Sequence, residues 1–216
     1  MPASAGDRWV CLDVGETLID ETRVWTTWAH VLGVTPLTFM AVLGSVLCAG
    51  EDHRATFTRL GHPGWREQYD EFREAFGSFR RDDLYPDALP ALDALRADGY
   101  CLAIVANQPA SRTVELRELG IDVDVMAMSD EFGFHKPSPD FFRHALSLTG
   151  TGDPTQVAYV GDRLDNDVRP AAEAGMRPIW IRRGPWAALS HDAPPPGTLV
   201  VNSLTELVER IEEAWQ

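Results

Sequence analysis

The stretch RWVCLDVGETLID, residues 8–20, decides how the chain is read. Trp9, Val10, Cys11 and Leu12 form an apolar run of the length of a buried strand. The run stops at a carboxylate, Asp13, followed by Gly15, Glu16 and Thr17. An acid placed where a buried strand gives way to a glycine-containing turn lies at the carboxyl edge of a sheet, where open α/β sheets bind ligands. Burying an unpaired carboxylate is costly, so Asp13 needs a cation or hydrogen-bond donors. On this stretch alone, a turn aspartate that caps the next segment is an equal reading.

Outward from it, residues 22–79 read as almost wholly helical. Trp25, Trp28, Ala29 and Leu32 recur at helical spacing, as do Trp65, Tyr69, Phe72, Phe76 and Phe79, an aromatic stripe expected to be core. Gly61-His62-Pro63-Gly64 breaks the helices between them. From residue 85 strands and helices alternate. Strands are expected at 101–105, 123–128, 156–160, 178–181 and 199–201, and helices at 86–98, 111–119, 138–149, 165–174 and 204–215. Residues 184–197, with three consecutive prolines, read as a surface loop. Uniformly apolar strands in strand–helix units imply an α/β, Rossmann-like parallel sheet with helices on both faces. The expected organisation is an α/β core of residues 1–20 and 81–216, with a small all-helical cap, residues 21–80, inserted after the first strand.

A net charge of −14 excludes a nucleic-acid backbone or an anionic membrane surface as partner. The apolar residues 31–50 read as a buried helix starting at Pro36 after the N-cap Thr35, rather than a membrane span. Cys11, Cys48 and Cys101 lack metal-ligand spacing and are taken as reduced core residues of a cytoplasmic protein. MPASAGD, at the start, carries no signal pattern. Against 18 arginines there is one lysine, Lys136, which marks it as a position that the arginine fork does not serve.

Three expected strands end in polar groups: Asp13, Asn107, and Asp162 with Asp167 five residues on. Three carboxylates at one sheet edge repel one another unless a divalent cation sits among them, and Mg²⁺ suits such a set. Lys136, in the loop FGFHKPSPDFF, would screen both a nucleophile and phosphate oxygens.

Four segments together resemble the haloacid dehalogenase superfamily of phosphatases and related hydrolases: LDVGETL, AIVANQ, GFHKPSPDFF and YVGDRLDNDVRPAAEAGM. The helical insert resembles the cap of the phosphoglycolate-phosphatase-like branch. The resemblance implies that Asp13 attacks phosphorus to form an aspartyl-phosphate, and that Lys136 neutralises charge on the transferred group. It implies Mg²⁺ held by Asp13, the Gly15 carbonyl and Asp162, with Asp167 holding a metal-bound water or Lys136. Asn107 would hold the phosphate through its amide and backbone N–H. The substrate would be a small phosphorylated metabolite, and the protein a cytoplasmic monomer or homodimer.

Two positions depart from the family pattern. The second Asp of its phosphatases, two residues after the nucleophile, is here Gly15, and the usual hydroxyl before Asn107 is Ala106. Loss of a general acid/base lowers rates by ~10²–10⁴-fold. Turnover is therefore expected to favour acidic leaving groups, and Gly15→Asp with Ala106→Ser to flatten that dependence. Glu16 is adjacent, but a one-residue shift on an extended segment turns a side chain elsewhere. Two other readings stay open: a fold that binds without turnover, and a dehalogenase- or phosphonatase-like hydrolase. His30, His53, Arg54 and Arg59 of the insert are candidates to face substrate, although solvated surface is the commoner fate of such residues; His135 reads as structural.

Overall fold

Strands that are apolar at every position need cover on both faces, and the chain supplies it. The structure, a computed structural model, describes residues 8–216; the reading of MPASAGD falls outside them. Among the described residues one sheet contains β1 (Trp9–Leu12), β2 (Cys101–Ala106), β3 (Val125–Met128), β4 (Val157–Gly161), β5 (Arg177–Ile181) and β6 (Leu199–Val201). All neighbours are parallel, in the order β3-β2-β1-β4-β5-β6. The order changes direction between β1 and β4, and at such a switch point the diverging connections leave a crevice beyond the strands' carboxyl ends.

Between β1 and β2 come α1 (Thr22–Val31), α2 (Pro36–Cys48), α3 (Ala55–Arg59), α4 (Tyr69–Phe76) and α5 (Ala88–Ala97). The remaining helices are α6 (Arg112–Glu118), α7 (Ser129–Phe132), α8 (Pro139–Thr149), α9 (Arg169–Glu173), α10 (Gly184–Leu189) and α11 (Leu204–Arg210). Alternation along each strand sorts the core into two layers. Val10, Leu12, Leu102, Ile104 and Val160 pack with Leu92 and Leu95 of α5 and Leu204 and Leu207 of α11. Cys11, Ala103, Val105 and Tyr159 pack with Phe141 and Phe142 of α8 and Ala171 of α9.

The helical insert is held by aromatic contacts. Trp28 stacks on Phe72 with centroids 4.3 Å apart, and Phe57 on Trp65 at 4.4 Å. Of the expected stripe, Phe72, Phe76 and Phe79 are buried, while Tyr69 is half-exposed. Thr35 caps α2, its hydroxyl accepting from Thr38 N–H. That helix is amphipathic rather than wholly buried: Phe39, Leu43 and Val46 face inward and Leu37 is exposed. No helix among the described residues is long and apolar enough to cross a membrane; α1 and α2 pass only as a pair bent by 113°.

Three expectations need correction. The stretch 184–197 is not all loop, because its first residues form α10, with Pro at the helix start. A proline there needs no N–H partner, so Gly184-Pro185 opens a helix rather than marking a turn. The helix expected over 165–174 begins instead as a π-helical turn, Leu164–Val168, before α9. Cys48 is exposed at the end of α2 and Cys101 only half-buried, so of the three cysteines only Cys11 is core; the described residues contain no disulfide.

Candidate active site

Asp13 follows β1 directly, and its N–H donates to the Val160 carbonyl at 2.9 Å, continuing the ladder one step beyond the strand. The chain then turns back on itself: the Val14 carbonyl accepts from Leu18 and Ile19 N–H, each at 2.9 Å. Glu16 holds the left-handed conformation this turn needs, at φ +50°, an unusual place for a non-glycine residue.

Lys136 lies in the loop before α8, buried, with Nζ 2.8 Å from Asp13 Oδ1 and 2.6 Å from Asp167 Oδ1. Asn107 grips its main chain: Nδ2 donates to the Lys136 carbonyl at 3.0 Å, and Lys136 N–H donates to Oδ1 at 2.8 Å. The structure thus engages the Asn107 amide with the lysine loop, where the resemblance implied phosphate. Asp167 is fully buried behind the cleft, its second oxygen accepting from Arg163 N–H at 3.0 Å. The π-helical turn brings it so close to β4 that a Cβ on Gly161 would sit 2.5 Å from its carboxyl carbon. Only glycine permits that approach.

Asp13, Asp162 and Asp167 offer oxygens that all lie within 4.8 Å of one another, and Asp162 Oδ2 is buried with no hydrogen-bond partner. Burial and the neighbouring charges of Asp167 and Asp13 push Asp162 well above the usual carboxylate range. Burial likewise raises Asp167, to about 6, despite Lys136 beside it. For Lys136 burial acts to lower the value, but Asp13 and Asp167 outweigh it and hold the ammonium charged. Such a set is short of positive charge.

Above this floor lies a cleft of ≈ 640 Å³, bordered by Asp13, Gly15, Asn107, Lys136 and Asp162, with Ala106 buried at the end of β2 behind it. Its other walls include Glu21, His53, Arg54, Arg163 and Trp186. His53 and Arg54, two of the four insert candidates, therefore reach the cleft. His30 is exposed and Arg59 pairs with Glu51, neither lining it. His53 sits edge-on to Trp25 and Trp186, and burial lowers it to about 4.

Glu21, Arg163 and Trp186 went unnoticed in the sequence. Glu21 immediately precedes α1, where an acid is the ordinary complement to a helix N-terminus. Burial, with Glu16 and Asp13 close by, raises it to about 8. Glu16 also borders the cleft, but both its carboxylate oxygens are engaged: Tyr85 Oη donates to Oε2 at 2.5 Å and Glu21 N–H to Oε1 at 3.1 Å.

The chain is similar to proteins of known family. A family profile described as haloacid dehalogenase-like hydrolase matches residues 8–175. Glyceraldehyde 3-phosphate phosphatase of Methanocaldococcus jannaschii is 34% identical over 131 residues, covering 59% of this chain and 56% of the relative. Phosphoserine phosphatase of Thermus thermophilus is 38% identical over 125 residues, covering 56% and 50%. The chain thus spans about half the length of the curated relatives it matches. A phosphatase structure from Thermococcus onnurineus superposes with TM-score 0.62 at 24% identity, over 94% of this chain and 97% of that one. A 2-haloacid dehalogenase from Pseudomonas syringae superposes with TM-score 0.60 at 22% identity, over 95% and 98%. The shared fold therefore serves both chemistries.

Proposed function

We propose that this chain, which belongs to the haloacid dehalogenase-like hydrolase family, hydrolyses phosphoric monoesters of small metabolites. The observation that carries this reading is the buried Lys136 between Asp13 and Asp167, with Asp162 beside them. A transferring phosphoryl group spreads charge over its oxygens, and a fixed cation next to the attacking carboxylate stabilises that charge. The matching relatives whose names specify glyceraldehyde 3-phosphate and phosphoserine support a small phosphorylated substrate.

The donor set fits a hard divalent cation such as Mg²⁺, because it offers clustered carboxylate oxygens and one buried oxygen without a partner. Asp13, Asp162 and the Gly15 carbonyl would hold the ion, with Asp167 steadying Lys136 behind them. When bound it neutralises carboxylate and phosphate charge. Asp13 attacks phosphorus and becomes an aspartyl-phosphate, Lys136 stabilises the transferred group, and Asn107 acts by fixing the lysine loop. Residues 21–80 act as a cap over a core of 1–20 and 81–216, contributing His53 and Arg54 to substrate recognition.

The test is phosphate release from an alkyl and an aryl phosphate, with Mg²⁺ or EDTA, alongside Asp13→Asn. Release that needs both Mg²⁺ and Asp13 is expected. Absence of release from either substrate overturns the reading in favour of a fold that binds without turnover. Halide release from a 2-haloacid in place of phosphate release would move it to dehalogenation.

A further inference from the structure

Gly15 leaves the site without a side chain where the family's phosphatases place the acid that moves protons, but that volume is filled from elsewhere. A Cβ built on Gly15 would lie 2.5 Å from Glu21 Oε1 and 2.9 Å from the Glu21 carboxyl carbon. The Glu21 carboxyl therefore occupies the space into which a side chain at position 15 would project. It borders the same cleft as Asp13, Lys136 and Asp162. Its N–H is anchored to Glu16 Oε1, while among the described residues the carboxyl itself forms no hydrogen bond and no ion pair. Glu16, adjacent to Gly15 in sequence, is by contrast committed to Tyr85 and the Glu21 backbone. A buried-facing acid without a partner, held beside a nucleophile, is free to meet substrate and water.

We propose that Glu21 is the general acid and base of this site, supplied from the start of α1 in place of a residue at position 15. The inference rests on the phosphatase reading above. In the first step an Asp13 oxygen bonds to phosphorus as the bond to the leaving oxygen breaks, and that oxygen takes the Glu21 proton and departs as an alcohol. In the second step Glu21, now a carboxylate, takes a proton from water as the water oxygen bonds to phosphorus. The Asp13–phosphorus bond breaks, releasing inorganic phosphate and restoring both carboxyl groups. One consequence bears on the expectation from sequence: a side chain at position 15, as in Gly15→Asp with Ala106→Ser, has to displace the Glu21 carboxyl to take its place.

The test compares wild type, Glu21→Gln and the relocated acid Gly15→Asp/Glu21→Ala on an alkyl phosphate and on 4-nitrophenyl phosphate, with melting temperatures as a check on folding. Wild type is expected to turn over both. Glu21→Gln should lower alkyl-phosphate turnover by ~10²–10⁴-fold; on 4-nitrophenyl phosphate it should keep the first-turnover burst of nitrophenolate, which leaves without a proton, and slow the steady state that follows, because the water step still lacks its base. The relocated acid should recover alkyl-phosphate turnover. Asp13-dependent activity that Glu21→Gln leaves intact on the alkyl phosphate overturns this inference alone. So does loss of the nitrophenolate burst together with alkyl-phosphate turnover, without recovery by the relocated acid, which is the mark of a merely structural residue. A wild type inactive on both substrates overturns the phosphatase reading, and this inference with it.

Discussion

The floor and the walls of the cleft are built on opposite principles. The floor is a buried charge cluster in which Asp13, Lys136 and Asp167 are each held twice and only Asp162 keeps a buried oxygen without a partner. Asp13 is tied to β4 through its N–H and to Lys136 through its carboxylate, and Lys136 is gripped through its main chain by Asn107 and through its ammonium by two acids. The walls contributed by residues 21–80 rest on rings: Trp28 packs against Phe57 and Phe72, and Phe39 links Trp25 to Phe57. Charges in a low-dielectric floor are strong and intolerant of loss, whereas apolar packing tolerates change at its edge. The proposed phosphoryl transfer sits where displacement is costly and the proposed substrate contacts where it is not, with Glu21 the wall acid proposed to join the two.

The contrast can be broken most sharply at Asp13, the proposed nucleophile. Asp13→Asn is expected to lower phosphate release by on the order of 10⁴-fold or more, with the melting temperature measured alongside to check that the fold is kept. Lys136→Met should destabilise the fold by about 3–5 kcal/mol in urea titrations at neutral pH. A loss below about 1 kcal/mol would mean that the floor is not electrostatically held. Mg²⁺ at a hundred times its dissociation constant should stabilise the protein by about 2.7 kcal/mol, and Asp162→Asn should remove most of that gain in thermal melts.

The walls should respond more weakly. His53 is held below its free value of 6.5, at about 4, by burial, with Arg54 and Arg163 adding to the effect and Asp52 opposing it. A histidine whose folded value is depressed adds stability above pH 6.5 that is lost as pH falls through about 4. The loss should be about 2 kcal/mol, discounted for the 29% of the side chain that remains exposed, and His53→Gln should flatten melting temperature against pH over that window. Smallest of all, Arg54→Ala should raise KM by less than ~10-fold with kcat unchanged. A fall in kcat instead would place Arg54 among the reacting groups.

The floor was legible in sequence because β1, β2 and β4 each convert an apolar run into a polar end, and because one lysine stands out among arginines. The six-stranded sheet followed from the same runs. What stayed hidden depends on contacts that no local pattern carries. Nothing in Glu21-Thr22-Arg23 distinguishes an acid that ends inside the cleft from one that complements a helix terminus. Trp186 was obscured by a Gly-Pro pair that resembles a turn, and the Asn107 amide by a partner 29 residues away. The π-helical turn that carries Asp167 under β4 has no propensity signature, and the close approach at Gly161 becomes apparent only once both elements are in place.

The solitary lysine has one more consequence. Apart from the α-amino group, amine-acylating reagents meet a single target in this protein, and its ammonium is both buried and paired. Labelling of Lys136 thus counts the moments when the lysine leaves its carboxylates. Because trypsin cleaves poorly before proline, the label would travel on one arginine-bounded peptide, residues 118–143. The lysine proposed to steady the transferred group doubles as a built-in clock for opening of the cleft floor, readable by mass without any engineered probe.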